Sequence, residues 1–215
     1  MMNNSNPSSR ATVNYSILEE GFKPADIYRF WCLSLYRDIW YNAHVTLEDI
    51  MELTGDKSLS NFNKNFKEYL KIKPYYKENN YHFLTKRNVY HIPYMESNCI
   101  TISRSFLTVN LNPKIKGFYI QLVLLEQYGN IELTKSNIVN TLKMDKKTYD
   151  KYLMELAVAN LVKIGTPIKI VTSKYILDND FKFQKVTSKR EWQEITKWVE
   201  ECRIQFSKQG ISSAI

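Results

Sequence analysis

The chain has 215 residues, 44% of them hydrophobic and 13% aromatic, with only 6 glycines and 6 prolines; it can bury a core and reads as mostly folded, which argues against a long flexible linker or a low-complexity protein. With 30 Lys and Arg against 22 Asp and Glu the net charge is +8, which favours a polyanionic partner, nucleic acid or an anionic membrane surface. Cys32, Cys99 and Cys202 form no CxxC pair, so the expectation is reduced thiols, two of them in helix cores, in a cytoplasmic protein without a disulfide framework or zinc ribbon. The opening MMNNSNPSSRA lacks the apolar segment of a secretory leader, and the apolar stretch from Phe118 to Leu125 contains Gln121 and is too short to span a bilayer.

In chain order, residues 1–14 read as a disordered tail. A helix begins after Lys23, with Pro24 at its first position and Ile27, Phe30, Trp31, Ser34, Leu35 and Ile39 at helical spacing. YNAH breaks that pattern. Thr46 then caps a short helix that carries Ile50, Met51 and Leu53 and ends at Gly55. Ser58 caps a third helix running to Lys71, with Leu59, Phe62, Phe66, Tyr69 and Leu70 on one face and Pro74 as its stop. YYKENNYHFL and NVYHIPY alternate like two strands around polar turns.

The same order returns. LNPKIKGFYIQLVLLEQYG is a helix opened near Pro113 and closed by Gly129; Thr134 caps a short helix; Asp145 caps the longer DKKTYDKYLMELAVAN. LVKI, a turn at Gly165 and Thr166, and PIKIVTSKYIL follow as a hairpin. The caps Thr46 and Thr134 are separated by about ninety residues, a common size for a small domain. A last segment, SKREWQEITKWVEECRIQF, places Trp192, Ile195, Trp198, Val199, Cys202 and Phe206 on one helical stripe. This stripe either packs back on the second domain or pairs with its twin in a homodimer, with Trp192, Ile195, Trp198 and Val199 as the anchor.

Helix, helix, helix and two-stranded wing resembles the winged helix-turn-helix. Lys146 to Leu153 resembles the recognition-helix pattern of small bacterial winged-helix regulators, in which Ser or Thr precedes an apolar residue and a Leu follows a turn later. NLVKI resembles the strand entry of those families, with Asn160 in place of the usual glycine, a substitution asparagine's tolerance of left-handed backbone allows. A tandem pair of such units looks like the plasmid replication initiators and related phage and plasmid DNA-binding proteins. The resemblance implies an α+β fold, mostly α with small β wings: a tail over 1–14, winged-helix domains over 15–96 and 97–180, and a C-terminal amphipathic helix and tail over 181–215.

Recognition helices read base edges from the major groove with their N-terminal part. On the second copy, burial of Tyr149, Leu153 and Leu156 leaves Lys146, Lys147, Thr148 and Lys151 outward. Lysine meets phosphate or guanine there, and threonine a base edge or a thymine methyl. Asp150 either accepts from cytosine or points to solvent. The first copy sets Ser60, Asn61, Asn63, Lys64, Asn65 and Lys67 outward; asparagine pairs bidentately with adenine, so AT-rich duplex is the expected partner. Lys77, Lys86 and Arg87 in the first wing, and Lys169 and Lys174 in the second, supply phosphate contacts.

Catalysis has no support in the pattern. There is no glycine-rich phosphate loop, no histidine pair of the kind a relaxase needs, and no acidic cluster for magnesium. The spacing of His82, His91 and Cys99 matches no zinc template, so neither a metal nor a cofactor is expected. The sequence thus reads as a cytoplasmic double-stranded DNA-binding protein and not an enzyme: a sequence-specific transcriptional regulator, or a replication initiator or partition adaptor on iterated origin sites, or a protein-interaction scaffold without DNA contact.

Overall fold

The structure is a computed structural model and describes residues 7–57, 61–78, 84–93, 97–171, 175–177 and 197, with the side chains of 73–78 and 84–87 outside that description. Strand β1 (Arg10–Asn14) opens it, followed by the single turn α1 (Ser16–Glu19) and helix α2 (Pro24–Ser34). Ordered pairing over Arg10–Asn14 corrects the expectation of a disordered tail to residue 14. Ala11 and Val13 alternate into the core, and the strand finds its partner far along the chain, where no local pattern announces it.

Pro24 occupies the first turn of α2, as its missing N–H favours. The helix stops at Ser34, short of Ile39, which is 80% exposed. Ser34 Oγ donates back to the Phe30 carbonyl at 2.9 Å, and the Asp38 carboxylate accepts from the Trp40 and Asn42 amides at 2.8 Å, which folds the chain into a turn instead of a further helical one. Strand β2 (Asn42–Ala43) follows, where the sequence pattern shows only a break. Helix α3 (Leu47–Thr54) has the expected start and stop. Thr46 Oγ1 accepts from the Asp49 amide at 3.1 Å while Asp49 accepts from the Thr46 amide at 2.7 Å, a reciprocal capping box. Gly55 closes the helix at φ +73°, a left-handed position that costs glycine nothing.

Helix α4 is only Phe62–Phe66, where the spacing predicts a helix from Ser58 to Lys71. Asn61, Asn63 and Asn65 compete with helical hydrogen bonding, so Phe62 and Phe66, buried one turn apart, sustain little more than one turn. The chain reverses at Lys71, whose φ is +44°. Pro74 lies within β3 (Lys73–Glu78), which pairs antiparallel with β4 (Leu84–His91); β2 joins on the other side of β4 to give the order β2-β4-β3.

Strand β5 (Cys99–Ser103) runs antiparallel to β1, Ala11 opposite Ile102 and Val13 opposite Ile100, and leads into a 3-10 turn, Arg104–Thr108. Helix α5 (Pro113–Tyr128) is next, then α6 (Lys135–Thr141), α7 (Lys146–Val158) and the minimal hairpin β6 (Val162–Lys163) and β7 (Lys169–Ile170). Pro167 to Leu177 is not one wing strand, as its alternation suggests. Only Lys169–Ile170 stays in the hairpin. Strand β8 (Ile176–Leu177) leaves it to pair with β5, and Tyr175 packs its ring against Phe106 at 5.6 Å. The fold is therefore mixed, helices with small antiparallel sheets.

Residues through Asp178 pack as one unit, and Asn179–Ile215 form another. Helix α2 lies against α5 so closely that a methyl on Gly117 would overlap the Pro24 carbonyl. The sheet β1-β5-β8 draws strands from the start, middle and end of the unit, and one core runs from Ala11 to Ile168. Four side chains carry polar bridges over it: Lys116 Nζ to the Tyr28 hydroxyl at 3.3 Å, Gln121 Nε2 to the Phe22 carbonyl at 3.5 Å, Tyr119 to the Val171 carbonyl at 3.5 Å, and Tyr128 to the Cys99 carbonyl at 2.7 Å.

Lys116 is only 6% exposed, and its ammonium donates to the Leu107 carbonyl at 2.9 Å as well as to Tyr28. Burial lowers its pKa below the ordinary 10.5. The native state therefore binds this proton more weakly than the unfolded chain does. Stability rises as the pH climbs from the native-state value towards the ordinary lysine value. The parent is expected to gain stability relative to Lys116→Met between about pH 7 and about pH 10, the shared tyrosine titrations cancelling in the difference. Urea denaturation of both proteins at the two pH values checks this, and a difference that is flat or opposite in sign contradicts it.

Cys32 lies buried in α2 and Cys99 in β5; Cys202, the other cysteine expected in a helix, lies outside the described residues. Burial pushes the Cys32 thiol well above its ordinary range and leaves it inert. Trp192, Ile195, Trp198, Val199 and Cys202 lie outside the described residues, and so does the reading of their stripe as a dimer anchor.

Candidate nucleic-acid interface

The candidate interface is assembled by α6, the turn after it, and α7. Thr134 Oγ1 accepts from the Asn137 amide at 3.3 Å to start α6, and Asn137 Nδ2 donates to the Glu132 carbonyl at 2.9 Å. Ile138 and Val139 face the core. The turn is tight: Lys143 takes φ +47° and the Met144 amide donates to the Val139 carbonyl at 3.1 Å. Asp145 then accepts from the Thr148 amide at 2.9 Å and starts α7, as its position before KKTY predicts.

The inner face of α7 is Tyr149, Leu153 and Leu156, all buried. Phe118 of α5 meets the Tyr149 ring edge-on at 5.9 Å and the Tyr152 ring at 5.8 Å, which fixes the rotation of α7 about its axis. With that face committed, Lys146, Lys147 and Lys151 are exposed, and among the described residues no ion pair holds any of them. Thr148 is half-buried. Asp150 is exposed among the lysines, but Lys135 Nζ reaches both its oxygens at 2.6 and 2.7 Å. That pair ties α6 to α7 and neutralises the one carboxylate on the cationic stretch. Sequence reasoning leaves Lys135 out, although its place immediately after the cap Thr134 marks it as exposed.

Helix α7 ends at Val158 and is closed by Asn160, whose φ of +56° is the left-handed conformation that glycine would otherwise supply, and the Leu161 amide closes back on the Leu156 carbonyl at 3.0 Å. The hairpin is held to the rest by the Ile168 amide on the Leu133 carbonyl at 3.1 Å. Lys169 is exposed, opposite exposed Lys163, a cation absent from the predicted set. Lys174 lies outside the described residues.

The first half offers less. Asn61, Lys64, Asn65 and Lys67 are exposed on and beside α4. Asn63 is half-buried and accepts from the Tyr90 hydroxyl at 3.2 Å, and Asn65 Nδ2 donates to Asp26 at 3.4 Å. Asp26 and Asp56 both hold Arg29, the latter through two hydrogen bonds of 2.8 and 3.0 Å. Ser60 lies outside the described residues. Lys77 belongs to β3, and Lys86 and Arg87 to β4, with side chains outside the description.

Of the histidines, His44 stands in a loop with Nε2 3.9 Å from Asp38, and His91 Nδ1 lies 2.6 Å from Asn42 Oδ1; His82 is outside the described residues. Among those described, no three His, Cys, Asp or Glu side chains gather where a metal could be held, and no helix is long and apolar enough to cross a membrane. Comparison with family models, curated proteins and solved structures finds no match to this chain.

Proposed function

We propose that the chain is a double-stranded DNA-binding protein of tandem winged helix-turn-helix type, acting by binding rather than catalysis, and that it serves as a sequence-specific transcriptional regulator. The observation that carries this reading is the division of α7. Its inner face is locked into the core by Tyr149, Leu153 and Leu156, and its outer face begins with Lys146, Lys147 and Lys151, exposed and held by no described ion pair. A helix displayed this way enters a major groove by its N-terminal part, with the preceding helix on the phosphate backbone and the hairpin as a flanking wing. Lys163 and Lys169 stand opposite each other across the wing, where it would meet phosphate, while Lys135 at the start of α6 cancels the charge of Asp150 beside the α7 lysines.

The test is equilibrium binding of the full chain to a fluorescent AT-rich duplex. About four phosphate contacts predict an affinity loss of roughly 100-fold between about 50 mM and about 200 mM salt. Binding that is undetectable at the lower salt contradicts the reading and favours a protein scaffold; binding indifferent to salt contradicts docking through the lysines of α7. Genomic footprinting then assigns the role: sites at promoters support the regulator, and a repeat array at a replication origin replaces it with an initiator.

A further inference from the structure

The geometry points to an unequal division of labour: the second half docks on the duplex through α7, while α4 of the first half stays out of any groove. This inference rests on the proposed DNA binding and specifies which half carries it. In helix-turn-helix docking the helix before the recognition helix crosses the phosphate backbone. In the second half that helix is α6, which exposes Ser136 and Asn140, pairs its Lys135 with Asp150 of α7, and contains no carboxylate. In the first half it is α3, which contains no cation and exposes Glu48 and Glu52, one turn apart on the same face. Phosphates laid across that face meet like charge, and juxtaposed like charges exclude a partner strongly.

The recognition elements differ in the same sense. Helix α7 spans 13 residues and starts from a side-chain cap, whereas α4 spans 5 and has none. Of the three asparagines able to pair with adenine, Asn63 and Asn65 are already engaged by Tyr90 and Asp26, and Asn61 stands before the helix. Arg29, which shares Asp26 with Asn65, is held by two carboxylates. A base read through Asn63 or Asn65 would have to compete with these bonds. The first half instead buttresses the second: α2 seats α5, and α5 sets the rotation of α7 through Phe118.

Anisotropy of the full-length protein with the AT-rich duplex at low salt tests the assignment. K64E/K67E is expected to change affinity by less than about threefold, and K146E/K147E to lower it by more than about 100-fold. E48Q/E52Q is expected to leave both the affinity and the salt slope of the parent unchanged. The inference is overturned if K64E/K67E weakens binding as much as K146E/K147E, or if E48Q/E52Q tightens it more than about tenfold with a steeper slope, because either result puts the α3–α4 surface on the phosphates. In both cases DNA binding itself survives. A parent protein that binds no duplex overturns the proposed function, and this inference with it.

Discussion

K146E/K147E/K151E is expected to lower duplex affinity by more than about 1000-fold while leaving the fold intact. Each lysine against a phosphate at the protein surface contributes on the order of 1 kcal/mol, and each glutamate adds a comparable repulsion, so three reversals cost about 4–6 kcal/mol. All three side chains are exposed and none serves the core or a described ion pair. Substitutions at such positions move stability by about 0.5 kcal/mol or less, and glutamate in a first turn complements the positive end of the helix. A melting curve that matches the parent, beside a lost mobility shift, is the expected pair of results. Retained affinity places the interface elsewhere on the molecule.

The largest effect on stability is expected at Gly117. Alanine there gains about 1 kcal/mol of helix propensity over glycine, but its methyl falls on the Pro24 backbone carbonyl, which no side-chain rotation can clear. The helices must part, and the packing of Tyr28 and Trp31 on Phe106, which also meets Tyr119 of α5, must loosen with them. Overpacking of this kind costs about 1–3 kcal/mol and occasionally more. Contact with a backbone atom puts Gly117→Ala at the upper end, about 3 kcal/mol net. Thermal unfolding reads this as a fall of about 6–12 °C. A change within about 1 °C would mean that α2 and α5 are further apart than described.

What the chain announces locally, the fold honours. Pro24, Thr46 with Asp49, Gly55, Pro113, Thr134 and Asp145 each stand at the helix boundary their chemistry marks, because caps and stops depend on a few neighbouring residues. Asn160 takes the left-handed turn expected of it. The cationic face of α7 is legible for the same reason, since Tyr149, Leu153 and Leu156 establish its period. The misses depend on distant partners. Arg10–Asn14 is a strand only because Cys99–Ser103 lies beside it, and Ile176–Leu177 leaves the wing because β5 offers an open edge. Nothing near Gly117 or Lys116 announces that another helix crosses there. The length of α4 misleads because its apolar spacing continues to Leu70 while its asparagines do not hold a helix that long.

The most direct test is a titration of the isotopically labelled protein with a short AT-rich duplex, followed through its backbone amide resonances. The account predicts that the largest shifts fall on Lys146 to Lys151, with smaller ones at Lys135, Lys163 and Lys169, and that all fade as salt is raised. Shifts centred on other surfaces with Lys146 to Lys151 unmoved, or no shifts at low salt, would contradict it.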